Sequence, residues 1–454
     1  MKNIFSLSMV RKGPKGALGP MLRRSSLICL MISALLISGF VFHPIASAGG
    51  YSDTAHWVGT WATSPVSEGQ AFVDQTLRQI VHISIGGDWL RVRLSNRFGT
   101  VPLVIDAASI GIQETGASVV PGSLRTLTFG GEASIAIAAG AKVLSDPVEL
   151  TVADEADLAV SLYVSEDTGG STSHSFAWQT SYISSGDQTG VTNMTDAIET
   201  TSWFWLTGVE VLADREDTHA VVALGNSITE GCCNPLNVDT NTRYPDFLAR
   251  LLLDRYPDEP RIAVLNEGIS GNRILNDIAG PNAQVRLDPD VLTQSGVTHV
   301  ILLEGINDIG FGEFGNPAWI VSADDIIVGY KQIIERVHTM GLKIFVGTLL
   351  PYYNSGYFSP EGEAKRQAVN DWIRTSNLHD GVVDFDEAMR DPSQPGPYPS
   401  LLPAYDSGDN LHPSVAGYEK MGKEAAKVLL APEGTHYKSR RGFFHFETSH
   451  QHKR

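Results

Sequence analysis

Two patterns of apolar and polar positions divide the chain. Over residues 57–212 apolar residues alternate with polar ones. Leu90, Val92 and Leu94 alternate with Trp89, Arg91 and Arg93, and Leu158, Val160, Leu162 and Val164 repeat the pattern. A period of two marks a strand with one buried face. Short runs at 79–85 and 134–138, with Gly, Asn and Asp turns between, extend the series. Together they predict an all-β sandwich or jelly-roll-like domain over residues 55–213. Asp214-Arg215-Glu216-Asp217 ends that texture. Beyond it, apolar runs at 220–224, 262–265, 297–303 and 342–349 alternate with amphipathic stretches. Residues 244–255 place Phe247, Leu248, Leu251 and Leu252 on one face. The stretch 323–340 starts behind Ser322, an N-cap with Asp324 and Asp325 in the first turn. Residues 360–375 and 414–430 complete the set. Apolar strands separated by helices call for a parallel sheet covered on both sides. That predicts a doubly wound α/β domain over residues 218–431.

The two ends carry other signals. The first 52 residues hold no Asp or Glu. Lys2, Arg11, Lys12, Lys15, Arg23 and Arg24 precede an apolar run over 27–42, and Ala46-Ser47-Ala48 follows. This is the layout of a signal peptide, residues 1–48, cleaved after Ala48, and it implies a secreted or periplasmic protein. The run is short for a bilayer of ~30 Å and His43-Pro44 ends it, so no stable membrane insertion is expected after cleavage. Cleavage removes six basic residues and no acidic one, deepening the net charge from −17 to −23. So acidic a surface argues against nucleic-acid partners and anionic membranes. Residues 432–454 are polar and basic without periodicity and are expected to be a disordered tail. Cys232 and Cys233, adjacent in sequence, cannot staple distant parts of a fold. A vicinal disulfide and two buried thiols are both open readings.

Open α/β sheets bind ligands where strands end. The segments after the apolar runs are Gly225-Asn226-Ser227-Ile228-Thr229, Asn266 through Asn272, and Glu304-Gly305-Ile306-Asn307-Asp308; Asp409-Asn410-Leu411-His412 precedes the last helix. Acyl transfer through a serine needs a hydroxyl on a tight turn, a histidine base, a carboxylate that orients it, and donors for an oxyanion. Ser227 follows Gly225 at a strand end. His412 supplies a base, and Asp409, three residues earlier, shares a turn with it; Asp406 is the nearest rival carboxylate. The N–H groups of Ser227 and Gly271 and the side-chain amide of Asn307 are candidate oxyanion-hole donors. Asp308 reads as structural. Asp384 and Asp386 have no His or Cys beside them, a poor donor set for a metal. Gly310-x-Gly312-x-x-Gly315 does not directly follow a strand, which weakens a dinucleotide reading. No G-x-S-x-G surrounds a serine.

The four segments resemble the four blocks of the SGNH (GDSL-like) hydrolase family. Ser227 matches the nucleophile, Gly271 and Asn307 the oxyanion glycine and asparagine, and Asp409 with His412 the D-x-x-H block. Arg243-Tyr244-Pro245 followed by Leu248 also resembles the segment after the first block. One departure is Asn226, where the family has aspartate. The resemblance covers residues 218–430 and implies a flavodoxin-like doubly wound parallel sheet. It implies a secreted serine esterase working through an acyl-enzyme, with no metal and no cofactor. The expected partner is a small-molecule or polysaccharide ester, short acyl groups such as acetyl on carbohydrate being favoured. The alternatives are an extracellular lipase or lysophospholipase, and a non-catalytic carbohydrate-binding protein on a hydrolase fold. Trp203-Phe204-Trp205 is expected in a core or interface rather than as a carbohydrate platform.

Overall fold

Alternating strands build the N-terminal region as two main antiparallel sheets. The computed structural model describes residues 54–233, 237–255 and 259–431, so the expected signal peptide (1–48) and tail (432–454) lie outside the described residues. The longer strands are β1 (His56–Ala62), β2 (Gln75–His82), β3 (Gly87–Ser95), β4 (Ala107–Thr115), β5 (Asp157–Val164), β6 (Ser181–Ser185) and β7 (Leu206–Ala213). One sheet runs β1-β7-β3, with Lys142–Leu144 and Val148–Val152 paired to β3. The other runs β6-β2-β5-β4. Leu90, Val92 and Leu94 of β3 and Leu158, Val160, Leu162 and Val164 of β5 enter one shared core, as their alternation predicts. The strand expected at 79–85 runs Gln75–His82 instead. It is buried on both faces: one carries Thr76 and Arg78, and Gln79 interrupts the apolar residues of the other, a polarity that hides the strand from a hydrophobic pattern. Arg78 is tolerated there because it donates to Ser161 Oγ (2.9 Å) and to the carbonyls of Ala117 (2.6 Å) and Val191 (2.8 Å). Trp203, Phe204 and Trp205 are buried: Trp203 meets Trp61 edge-on at 4.9 Å, and Phe204 and Trp205 both pack on Phe72.

The second pattern folds as expected. Strands β8 (His219–Asn226), β9 (Ile262–Ile269), β10 (Val297–Leu303), β11 (Lys343–Gly347) and β12 (Gly381–Val383) form one parallel sheet in the order β9-β8-β10-β11-β12. This is the flavodoxin-like order, with its switch point at β8 and β10. The helices are α1 (Ser227–Glu230), α2 (Tyr244–Leu253), α3 (Ala283–Leu287), α4 (Ile306–Gly310), α5 (Ala323–Thr339), α6 (Pro360–Thr375), α7 (Phe385–Met389) and α8 (Val415–Leu429). Ser322 and Asp325 cap α5 reciprocally. Successive strand residues face opposite sides. Val221, Ala223, Ile301 and Leu303 pack with Tyr244, Leu248, Tyr418 and Met421 of α2 and α8. Ala220, Val222, Leu224, Val300 and Leu302 share a core with Ile326, Tyr330 and Ile333 of α5 and with the β region.

The β region and the α/β region belong to one compact unit. Gly59 N donates to Ser295 O and Val264 N to Ser84 Oγ. A side chain at Gly59 would press on Leu265 at 3.0 Å, so glycine permits this approach. Polar groups are buried along the seam. Arg286, wholly buried on α3, donates to Gly225 O (2.7 Å), Glu267 O (2.6 Å), Ser64 Oγ (2.9 Å) and Asn272 Oδ1 (2.9 Å). It also lies 3.4 Å from Glu304 Oε1. Among the described residues no helix is long and apolar enough to cross a membrane.

Arg286→Ala would strand four buried acceptors and a carboxyl, and should destabilise the protein by about 3–5 kcal/mol in urea unfolding. Arg286→Lys should restore little of it, because an ammonium cannot fork to the same partners. A midpoint within error of the parent for either variant would refute this.

Candidate active site

The end of β8 leaves no room for side chains. A Cβ on Gly225 would lie 2.0 Å from Thr229 Oγ1 and 2.8 Å from Leu303 O, so only glycine lets β8 turn into α1 beside β10. Asn226 caps α1, accepting from Ile228 N (3.0 Å), while its Nδ2 donates to Glu304 Oε2 (3.2 Å). Ser227 opens the single turn of α1 and is 6 % exposed. Gly231, at φ 92, closes that turn, with Gly231 N and Cys232 N both donating to Ser227 O.

His412 arrives from the segment before α8. Its Nε2 lies 2.9 Å from Ser227 Oγ and its Nδ1 2.6 Å from Asp409 Oδ2. Asp409 Oδ1 accepts from His412 N (2.8 Å) and Leu411 N (2.9 Å), so one carboxylate shapes the turn and orients the ring. Asn410 takes φ 61 between them, a conformation asparagine tolerates. Burial alone would raise the Asp409 carboxyl. The hydrogen bonds from the His412 ring and backbone outweigh it and hold the group well below the usual carboxylate range. Asp406 accepts from Gly408 N and Asn410 N, the work of a turn residue.

Gly271 and Asn307 lie at the ends of the two strands that flank β8. Gly271 has φ 77, and a Cβ there would come within 2.9 Å of Ala279 Cβ. Asn307 Nδ2 donates to Asn272 O (2.9 Å), which uses one of its two hydrogens. Asp308 accepts from Ile274 N (2.8 Å) and Leu275 N (3.1 Å), pinning the loop that carries Gly271. Burial pushes its carboxyl up to about 6 against these donors. Cys232 and Cys233 are joined as a vicinal disulfide just past α1. Cys232 is buried and Cys233 exposed at φ 84, and Cys233 Sγ stands 3.6 Å from His412 Nε2.

Ser227, His412 and Asp409 thus form one hydrogen-bonded chain at the switch point of the sheet, the arrangement of a carboxylic ester hydrolase. Residues 223–420 match the GDSL-like lipase/acylhydrolase family. Comparison with curated proteins returns no match. Among solved structures, the chain is similar to an acetylxylan esterase from Geobacillus stearothermophilus (22 % identity, 47 % of this chain and 95 % of that one, TM-score 0.37). It is also similar to a carbohydrate acetylesterase from Sinorhizobium meliloti (16 % identity, 46 % of this chain and 98 % of that one, TM-score 0.37).

Glu304 and Arg286 escaped the sequence reading. Glu304 had a signal, a charge closing an apolar strand beside Gly305; Arg286 had none. Burial pushes the Glu304 carboxyl up to about 8, with Arg286 opposing the shift without cancelling it. A carboxyl that moves from 4.5 to about 8 on folding holds extra protons in the folded state between those values. Its contribution to stability is full below the lower value and is lost as pH climbs through the upper one. The unfolding midpoint of the parent should therefore fall more steeply from pH 5 to 8 than that of Glu304→Gln. Equal slopes would mean that the folded protein keeps Glu304 ionised.

Proposed function

We propose that the protein is a secreted serine esterase acting on short acyl esters, acetyl groups on carbohydrate foremost. Ser227 is the nucleophile, His412 the base and then the acid, and Asp409 the group that fixes the imidazole tautomer. The observation that carries this reading is the chain from Asp409 Oδ2 through both ring nitrogens to Ser227 Oγ. With Nδ1–H donated to Asp409, the Nε2 lone pair faces the serine hydroxyl. Ser227 Oγ attacks the acyl carbon as Nε2 takes its proton. The charge on the acyl oxygen meets the N–H groups of Ser227 and Gly271 and the second hydrogen of Asn307 Nδ2. His412 then gives the proton to the departing alcohol, and water repeats the sequence on the acyl-enzyme. The basic and apolar order of residues 1–48 supports export, and the acidic surface suits a neutral glycan better than a polyanion. In this reading residues 55–213 form an accessory domain, 218–431 the catalytic domain and 432–454 a tail.

One observation favours an extracellular lipase or lysophospholipase as a second reading. Phe311 lies 3.8 Å from where a Cβ of Gly271 would stand, and it packs against Phe314 and Trp319. Phe314 and Ile320 are exposed, giving an apolar flank beside the expected oxyanion position. The intact hydrogen-bonded chain speaks against a non-catalytic binding protein.

Nitrophenyl esters from acetate to palmitate decide between these readings. Short esters should turn over fastest, and Ser227→Ala should lower kcat by on the order of 10⁶-fold. Rates that climb with chain length would move the assignment to a lipase, and an active Ser227→Ala would refute the mechanism. Asp409→Asn should cost about 10²–10⁴-fold in kcat, the scale of general acid–base assistance. An unchanged rate would remove Asp409 from the chain.

A further inference from the structure

The disulfide lies within reach of the base's working nitrogen, and the triad does not use it. We propose that Cys232, Cys233 and His412, once the two sulfurs are reduced, form a three-ligand site for a thiophilic divalent cation such as zinc, and that the disulfide withholds this site from metal.

The Sγ atoms of both cysteines and a ring nitrogen of His412 lie within 4.8 Å of one another. The Cys233 Sγ to His412 Nε2 separation is 3.6 Å. In a tetrahedral zinc site with Zn–S about 2.3 Å and Zn–N about 2.0 Å, an S···N edge is about 3.5 Å long. The sulfur and nitrogen therefore already stand at the separation of two ligands on one ion. The outer partner is in place too. Asp409 Oδ2, 2.6 Å from Nδ1, leaves Nε2 as the ligand atom, a carboxylate–histidine–metal arrangement. Cys233 is exposed, so an ion has an entry path. Ser227 Oγ, 2.9 Å from Nε2, or a water can fill the fourth position.

A phosphine donates two electrons to the S–S bond, becomes the phosphine oxide with oxygen from water, and leaves two thiols. A divalent cation then displaces both thiol protons to solvent and takes the Nε2 lone pair. On the reading of His412 given above, that same lone pair must accept the Ser227 proton, so the metal-bound form is inactive. The disulfide thus keeps the base free of metal wherever the surroundings are oxidising.

The test uses the mature protein, oxidised or reduced with a phosphine and desalted without air. Cobalt(II) is the probe. Reduced protein should bind one equivalent, with a thiolate-to-cobalt charge-transfer band in the near ultraviolet and four-coordinate ligand-field bands. Zinc should bleach both, and oxidised protein should show neither. Cys233→Ser and His412→Ala should each lose the band or bind at least about 10-fold more weakly, and Asp409→Asn should bind about 10–100-fold more weakly. Zinc should abolish ester hydrolysis by reduced protein alone, and a chelator should restore it. Two titratable thiols without a cobalt band, or full affinity in His412→Ala, would overturn the proposal. If oxidised protein hydrolyses no ester, the esterase reading falls, while the cobalt spectra still decide the metal site.

Discussion

The guanidinium of Arg286 is the constraint on which the rest of the site depends. A buried cation costs several kcal/mol in lost hydration unless all its donors are matched. Here the donors reach the end of β8 at Gly225, β9 at Glu267, the loop after β9 at Asn272, and the β region at Ser64. Each partner belongs to a different segment. A shift of any one leaves a buried donor unmet, at roughly 1–3 kcal/mol. The loops that carry Ser227 and Gly271 are thereby held in register by a residue that touches neither.

The same logic governs charge beneath Ser227. Glu304 is wholly buried at the end of β10 and meets Asn226 on one side and Arg286 on the other. Burial already raises the Glu304 carboxyl, and an aspartate at position 226 would set a second carboxyl against it and raise it further. Asparagine removes that conflict. It still caps α1 through its oxygen and gives Glu304 a donor through its nitrogen. The departure from the family's first block is therefore chemically coherent at this site.

How much was legible in the sequence follows from what each pattern reports. The parallel sheet was, because its strands are apolar on both faces and runs such as 297–303 need no partner to be recognised. The bounds of β2 were not, because Arg78 on one face and Gln79 on the other are buried through hydrogen bonds rather than through apolarity. Ser227, Gly271, Asn307, Asp409 and His412 stood out because each sits just past a strand or before a helix, in a recognisable block. Glu304 and Arg286 did not, since their partners are backbone carbonyls and side chains from distant segments. The cysteines showed only their adjacency. That one of them would stand beside His412 depends on the turn after α1, closed by Gly231 and by two amides donating to the Ser227 carbonyl.

That turn links Ser227 to His412 by a second route. The carbonyl of Ser227 accepts from Gly231 and Cys232, so the disulfide ring begins where the serine's backbone is fixed. Its far sulfur ends against His412 Nε2, the atom that also faces Ser227 Oγ. The imidazole is therefore held on three sides: by Asp409 at Nδ1, and by a hydroxyl and a sulfur around Nε2. A ring confined in this way loses little entropy on reaching a reactive geometry, since the loss was taken during folding. The arrangement has a chemical consequence as well. Both the hydroxyl and the sulfur border the lone pair at Nε2, and of the two only the sulfur's chemistry changes with oxidation state.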